Sequence, residues 1–193
     1  MQNRQAMPVV RKNPGESSLG SAIALESLVP DARSLAPDAF AARHGNSFLL
    51  FTAKRLDGPE GTNSTKLLLD DGGDDEPEGR TANLAVVVYP MRSRDPAKGP
   101  MVTLGRESRQ DVVIPDMSVS RFHAFAKPGS DGALVLQDAG STNGTTVNGE
   151  SVLTTGAGPP RRLKPGDNVR LGHIELTFTD ARALREFVLQ KAR

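Results

Sequence analysis

The sequence predicts an all-β protein, an antiparallel β-sandwich with a short N-terminal α/β extension and a C-terminal helix. Three observations carry that expectation. Between residues 84 and 179, β-favouring runs recur at close spacing. Turn signals separate them: Pro128-Gly129, Asp131-Gly132, Asn143-Gly144, Asn148-Gly149 and Pro165-Gly166-Asp167. The chain also holds 19 Gly and 14 Pro among 193 residues, which demands many turns. Many short strands in so short a stretch fit a sandwich or barrel, where antiparallel neighbours need only tight connections.

The elements follow in chain order. Residues 1–33 mix Pro, Gly, Ser and charge with little periodicity, so they read as a disordered tail. Residues 34–83 form an extension. Pro37 suits a first helical turn, residues 39–43 mostly favour helix, and Gly45 ends it. Residues 48–51 (Phe-Leu-Leu-Phe) are short enough for a buried strand, and 67–69 (Leu-Leu-Leu) is a second apolar run. Residues 70–78 pack six acids with two glycines and a proline. They lack the alternate ligands and central Gly of a calcium loop, so they read as a solvated linker.

Within 84–179 the expected strands are 84–89, 101–104, 112–114, 122–126, 134–137, 145–147, 169–171 and 174–178. Asn-Gly is the strongest short hairpin signal because both residues tolerate positive φ. Residues 180–193 close the chain as a helix. Asp180 can cap it, and Ala181, Leu184 and Val188 share one face, with Phe187 beside them.

Composition excludes several functions. Lys plus Arg number 24 against 23 acids, a net charge of +1, which argues against nucleic acid or membrane held by bulk positive charge. Seven Phe, one Tyr and no Trp leave little stacking surface for single strands. The absence of cysteine removes disulfides, thiol nucleophiles and thiolate metal sites. His44, His123 and His173 lack ligand spacing, so no metal or cofactor is expected. No apolar run approaches a membrane span, and the polar opening residues do not resemble a signal peptide, so a cytoplasmic protein is expected.

The informative residues lie between strands. Gly105-Arg106 ends one run, Ser120-Arg121-Phe122-His123 opens another, and residues 140–145 (Gly-Ser-Thr-Asn-Gly-Thr) form a polar loop. Arginine offers a rigid fork of donors that matches phosphate oxygens in pairs. The hydroxyls of Ser120 and Thr142 add donors without charge, and Asn143 can both donate and accept, which suits a peptide backbone. A Ser120–His123 catalytic dyad is unfavourable, because three residues apart on an extended chain they face opposite sides. No Gly-Lys-Ser/Thr follows the glycine loop, so it is no P-loop.

This stretch resembles a forkhead-associated (FHA) domain of the bacterial stand-alone type. Gly105-Arg106, Ser120-x-x-His123, the 140–144 loop, Leu163-x-x-Gly166-Asp167 and the final strand pair occur in the family's order. The resemblance covers about residues 84–179. It implies an eleven-stranded FHA-type sandwich of the SMAD/FHA-like class that binds phosphothreonine peptides through loops at one end. By that resemblance Arg106 binds the phosphate, and Ser120 donates its hydroxyl and backbone amide. Arg121 adds a phosphate or peptide contact. Thr142 contacts the phosphate or cradles the threonine methyl, and Asn143 holds the ligand backbone. Gly105, His123, Gly144, Asn148 and Gly149 are architectural.

The implied partner is a phosphothreonine-containing protein, a Ser/Thr kinase or its substrate. A phosphate carries about −1.5 to −2 charge near neutral pH, so two arginines suit it better than they would a single carboxylate. The competing reading is a phosphate-independent assembly protein that uses a sandwich face, and the sequence leaves its oligomeric state open. Threonine is absent before Thr52, so Thr62 and Thr65 are better in-cis ligand candidates than the N-terminal serines.

Overall fold

The computed structural model describes residues 22–55, 67–68, 83–95, 97 and 99–192. Among them, thirteen strands form two sheets. Seven strands of the larger run in the order β1 (Ile23–Ala24), β4 (Asn83–Pro90), β2 (Ser47–Arg55), β13 (Ile174–Asp180), β12 (Asn168–Leu171), β9 (Thr145–Val147) and β10 (Glu150–Ser151). The eighth, β3 (Leu67–Leu68), pairs with β2. The smaller sheet is β11 (Arg161–Arg162), β8 (Leu134–Asp138), β7 (Ala124–Pro128), β5 (Val102–Gly105) and β6 (Val112–Val113). Only β5 and β6 pair in parallel among the described strands.

The side-chain patterns explain the layers. Along β13, Ile174, Leu176 and Phe178 are buried, whereas Glu175 and Thr177 face solvent. Leu171, Val169, Leu104, Ala126 and Leu136 meet them in the core between the sheets. β2 and β4 instead carry continuous apolar runs, because both of their faces are covered. Leu49, Val87 and Tyr89 point into the sandwich core. Phe48, Val86 and Val88 point outward into a second core.

Helices build that second core. A 3₁₀ turn (Leu25–Leu28), α1 (Val29–Ser34), α2 (Pro37–His44) and α3 (Ala181–Lys191) lay Leu25, Leu28, Ala32, Phe40, Leu184 and Val188 over the larger sheet. α2 starts on Pro37 and stops at Gly45, whose φ of 106° favours glycine. Asp180 caps α3 by accepting from the Ala183 N–H at 2.8 Å. His44 and Arg43 at the end of α2 both reach Asp31 of α1, at 2.8 and 3.2 Å, and tie the helices together.

Several expectations change. Residues 22–33 are no disordered tail: Ile23 and Ala24 pair with Val88 and Val87, and Leu25, Leu28 and Ala32 are buried. Local sequence hid this because the apolar face needs the β2–β4 surface to cover it. The sandwich also does not begin at residue 84, since β2 lies between β4 and β13 in its larger sheet. The strand expected over 122–126 starts at Ala124, with Phe122 exposed. Asn143-Gly144 is no hairpin turn, because β8 and β9 belong to different sheets. Asn148-Gly149 is one, with φ of 53° and 81° between paired Val147 and Glu150. β1, β10 and β11, two residues each, were too short for a periodic signal, and the strand total exceeds the eleven implied by resemblance. Residues 1–21, the acidic run 70–78, Thr62 and Thr65 lie outside the described residues. Among the described residues no helix is long and apolar enough to cross a membrane.

Candidate functional site

One end of the sandwich gathers three connections into a cleft of about 650 Å³. The β5–β6 loop brings Arg106, the segment before β7 brings Ser120 and Arg121, and the β8–β9 loop brings Thr142 and Asn143. All five binding residues expected from sequence therefore line one surface. No ion pair or side-chain hydrogen bond engages the Arg106 or Arg121 guanidinium among the described residues, and both side chains are exposed. Two forks of donors thus face an open, concave surface.

The backbone explains how Arg106 is placed. β5 continues past its end into pairing with the segment before β7. Arg106 N–H donates to Ser120 O at 3.0 Å, and His123 N–H donates to Leu104 O at 2.8 Å. Gly105 sits at this crossing. A Cβ there would lie 2.3 Å from the Arg121 carbonyl oxygen, so only glycine allows the two chains to approach so closely.

His123 is fully buried and uses both ring nitrogens. Ser120 N–H donates to Nδ1 at 3.0 Å, which puts the proton on Nε2, and Nε2 donates to Gly144 O at 3.1 Å. The imidazole therefore bridges the Ser120 segment and the β8–β9 loop in the site wall. This corrects two expectations. Ser120 and His123 do not face opposite sides of an extended chain, because residues 120–123 turn and the ring folds back onto the Ser120 amide. The Ser120 amide is therefore committed to His123 and is no phosphate donor in this structure.

The Ser120 hydroxyl points to the other loop. It accepts from Thr142 N–H at 3.1 Å and donates to Thr142 Oγ1 at 3.4 Å. Asn143 Nδ2 donates to Ser118 O at 2.9 Å, which orients its amide and leaves Oδ1 free to accept. Gly144 adopts φ of 77° at the exit of this loop. Asn148 and Gly149 stand apart from the cleft, where Asn148 Nδ2 bonds Asp167 at 2.8 Å and fixes the β9–β10 hairpin.

Two organisers were missed from sequence. Asp138, buried at the end of β8, accepts four bonds, three from the loop it precedes and one from the first residue of β9. Gly140 N–H and Ser141 N–H meet Oδ1 at 2.7 and 2.9 Å, and the Ser141 and Thr145 hydroxyls meet Oδ2 at 2.6 Å each. An Asp two residues before a glycine is an Asx-turn signal that could have flagged it. Gly172, in the β12–β13 turn, is the second. A Cβ there would lie 2.4 Å from Ser118 O, and Gly172 N–H donates to Gly144 O at 3.0 Å.

These groups titrate in a way that couples pH to the site. Burial lowers the His123 pKa, against the opposing Gly144 hydrogen bond and the Asp138 charge. Burial raises Asp138, but the bonds from Ser141, Thr145 and Gly140 together outweigh it and hold the carboxyl below its usual value. Both folded-state values are depressed, so both groups favour folding at high pH and lose that contribution as pH falls. For His123 the loss begins near the unfolded value of about 6.5, because the unfolded chain takes up a proton that the folded chain resists. Protonated His123 would also face the Ser120 N–H with a donor. We expect the urea midpoint to fall between about pH 7 and pH 5. A His123 imidazole resonance titrating at or above the unfolded value would contradict this origin.

A buried frame thus presents two arginines without a side-chain partner among the described residues, a hydroxyl pair and an oriented amide at one sandwich end. The family model for the FHA domain matches residues 102–172 of this chain. It is 38% identical over 84 residues to an ABC transporter ATP-binding/permease protein of Mycobacterium tuberculosis, covering 44% of this chain and 9% of that protein. It is 37% identical over 84 residues to the oxoglutarate dehydrogenase inhibitor of Corynebacterium diphtheriae, covering 42% of this chain and 52% of the relative. The chain thus spans about half, or much less, of these relatives. A solved chain from work on phosphothreonine-dependent FHA domain interactions overlays 69% of this chain and 95% of its own length, at 27% identity and a TM-score of 0.41.

Proposed function

We propose that this chain is a phosphothreonine-peptide recognition module, a binding protein rather than an enzyme, that recruits partners phosphorylated by Ser/Thr kinases. The observation that carries the reading is the pair of guanidinium groups, Arg106 and Arg121, unpaired among the described residues, beside the Ser120–Thr142 hydroxyl pair in one cleft. A phosphate brings nearly two negative charges and three acceptor oxygens to that set. Arg106 takes the phosphate and Arg121 a further oxygen or the peptide. The Ser120 hydroxyl turns from Thr142 to the phosphate, and Thr142 packs on the threonine methyl. Asn143 accepts from the ligand backbone through Oδ1. Gly105, His123 and Gly144 keep the loops in place for this.

The reading as a non-catalytic module is supported by His123, whose two nitrogens serve backbone groups and so do not reach the Ser120 hydroxyl as a base. The oxoglutarate dehydrogenase inhibitor, a relative by name a regulator, is in keeping with it. The assembly alternative finds less support, since the outer face of the larger sheet is covered by the chain's own helices. An oriented phosphothreonine-peptide library tests the function. Selection of specific sequences from the phosphorylated library, and loss of retention after phosphatase treatment, is the expected result.

A further inference from the structure

Arg109 belongs to the same cleft but to none of the roles above. It lines the cavity wall from the β5–β6 loop, and its side chain is 79% exposed. Its Nε donates to Glu107 Oε2 at 2.6 Å. No other hydrogen bond engages the guanidinium among the described residues, so its two amino groups are open. Glu107 therefore grips the fork from one side only, and its own side chain is less exposed, at 31%.

The loop under Arg109 is clasped at both ends. Asp111 accepts from Thr103 N–H and Thr103 Oγ1 at 2.8 and 2.9 Å, and from Arg94 N–H at 2.7 Å. Arg94 Nη1 donates to Ser108 O at 2.9 Å. Gln110 is buried, and its N–H closes a turn onto Glu107 O at 3.1 Å. A long, exposed cation thus stands on a fixed base, where little backbone ordering remains to oppose binding.

The charge balance of the wall completes the case. Arg106, Arg109 and Arg121 face it with one acid, Glu107. One phosphate matches Arg106 and Arg121, and the cleft has far more room than one phosphate fills. We propose that Arg109, oriented by Glu107, forms a second anion subsite, so that the ligand is a phosphothreonine peptide bearing a further acidic group. This rests on the phosphothreonine reading of the cleft. A carboxylate side chain and a second phosphorylated residue share the chemistry.

The test is a double-mutant cycle on the full chain. One arm varies the protein, wild type against Arg109→Ala. The other varies a phosphothreonine peptide, with Glu, or a second phosphorylated residue, at each flanking position in turn against Ala. At one position the added acid tightens wild-type binding about fivefold or more, and Arg109→Ala removes that gain. A larger gain for the phosphorylated residue than for Glu identifies a second phosphate as the preferred source. If no position gives a gain, or the gain survives Arg109→Ala, the subsite is overturned while the phosphothreonine reading stands. If wild type binds the parent peptide equally with and without its phosphate, both fall. An unchanged thermal midpoint for the variant guards against misfolding, as its exposure leads us to expect.

Discussion

Arg106→Ala lowers affinity for a phosphothreonine peptide about ten- to a hundredfold and leaves the fold intact. The size follows from the charge-assisted bonds a guanidinium makes to a phosphate, which are stronger than neutral ones and vanish together when the fork is removed. The fold is spared because the side chain is exposed and has no partner among the described residues, whereas the structural contact of this residue is its backbone N–H to Ser120 O, which alanine keeps. Arg106→Lys recovers part of the affinity, since a point charge replaces the fork but not its paired geometry. Calorimetric titration with circular dichroism on the same samples separates the two effects. Wild-type affinity in Arg106→Ala would mean the phosphate sits elsewhere.

Gly105→Ala acts through the scaffold and lowers both stability and binding. Its new Cβ would meet the Arg121 carbonyl oxygen at 2.3 Å, its carbon at 2.9 Å and the Ser120 oxygen at 3.0 Å. None of these is the end of a flexible side chain. They are backbone atoms: Ser120 O accepts from Arg106 N–H at 3.0 Å and Arg121 O from Glu107 N–H at 3.4 Å, while Gly105 O accepts from Ile114 N–H at 2.9 Å. Relief requires parting β5 from the Ser120 segment, which carries two of the five proposed binding residues. We expect a loss of about 2–4 kcal/mol in unfolding free energy, typical of overpacking a rigid site. Urea unfolding measures it, and an unchanged midpoint would contradict the close approach. Ser120→Ala, which keeps the backbone, should retain the fold and so provides the contrast.

Much of this architecture was legible in the chain itself. The alternation of Ile174, Leu176 and Phe178 marked β13, Asp180 marked the cap of α3, and Asn148-Gly149 marked its hairpin. The five cleft residues were legible because Arg, Ser, Thr and Asn cluster in polar loops at strand ends, where sandwiches bring loops together. What escaped was non-local. The helical cover over β2 and β4 depends on residues 22–35 meeting a surface made by strands distant in sequence, and nothing in those residues alone fixes that contact. The continuous runs in β2 and β4 were the available sign, since a strand with one wet face alternates. The roles of Asp138 and Gly172 escaped for a similar reason, because each acts on a loop rather than on a ligand.

His123 illustrates how spacing alone misleads. An extended chain would separate it from Ser120, but residues 120–123 turn, and the buried ring takes the serine amide. That single contact engages the amide within the protein and leaves the hydroxyl as the donor Ser120 can offer the cleft. In the proposed reading, selectivity comes from two arginines, hydroxyls and an oriented amide, on a protein whose net charge is only +1.

The central claim is that this cleft reads the phosphate on threonine. Titration of the wild-type chain with one peptide in threonine and phosphothreonine forms tests it most directly. The account predicts saturable binding of the phosphorylated form and at least about a hundredfold weaker binding of the other, because without the phosphate neither arginine has an anion to grip. Equal affinity for the two forms would contradict it.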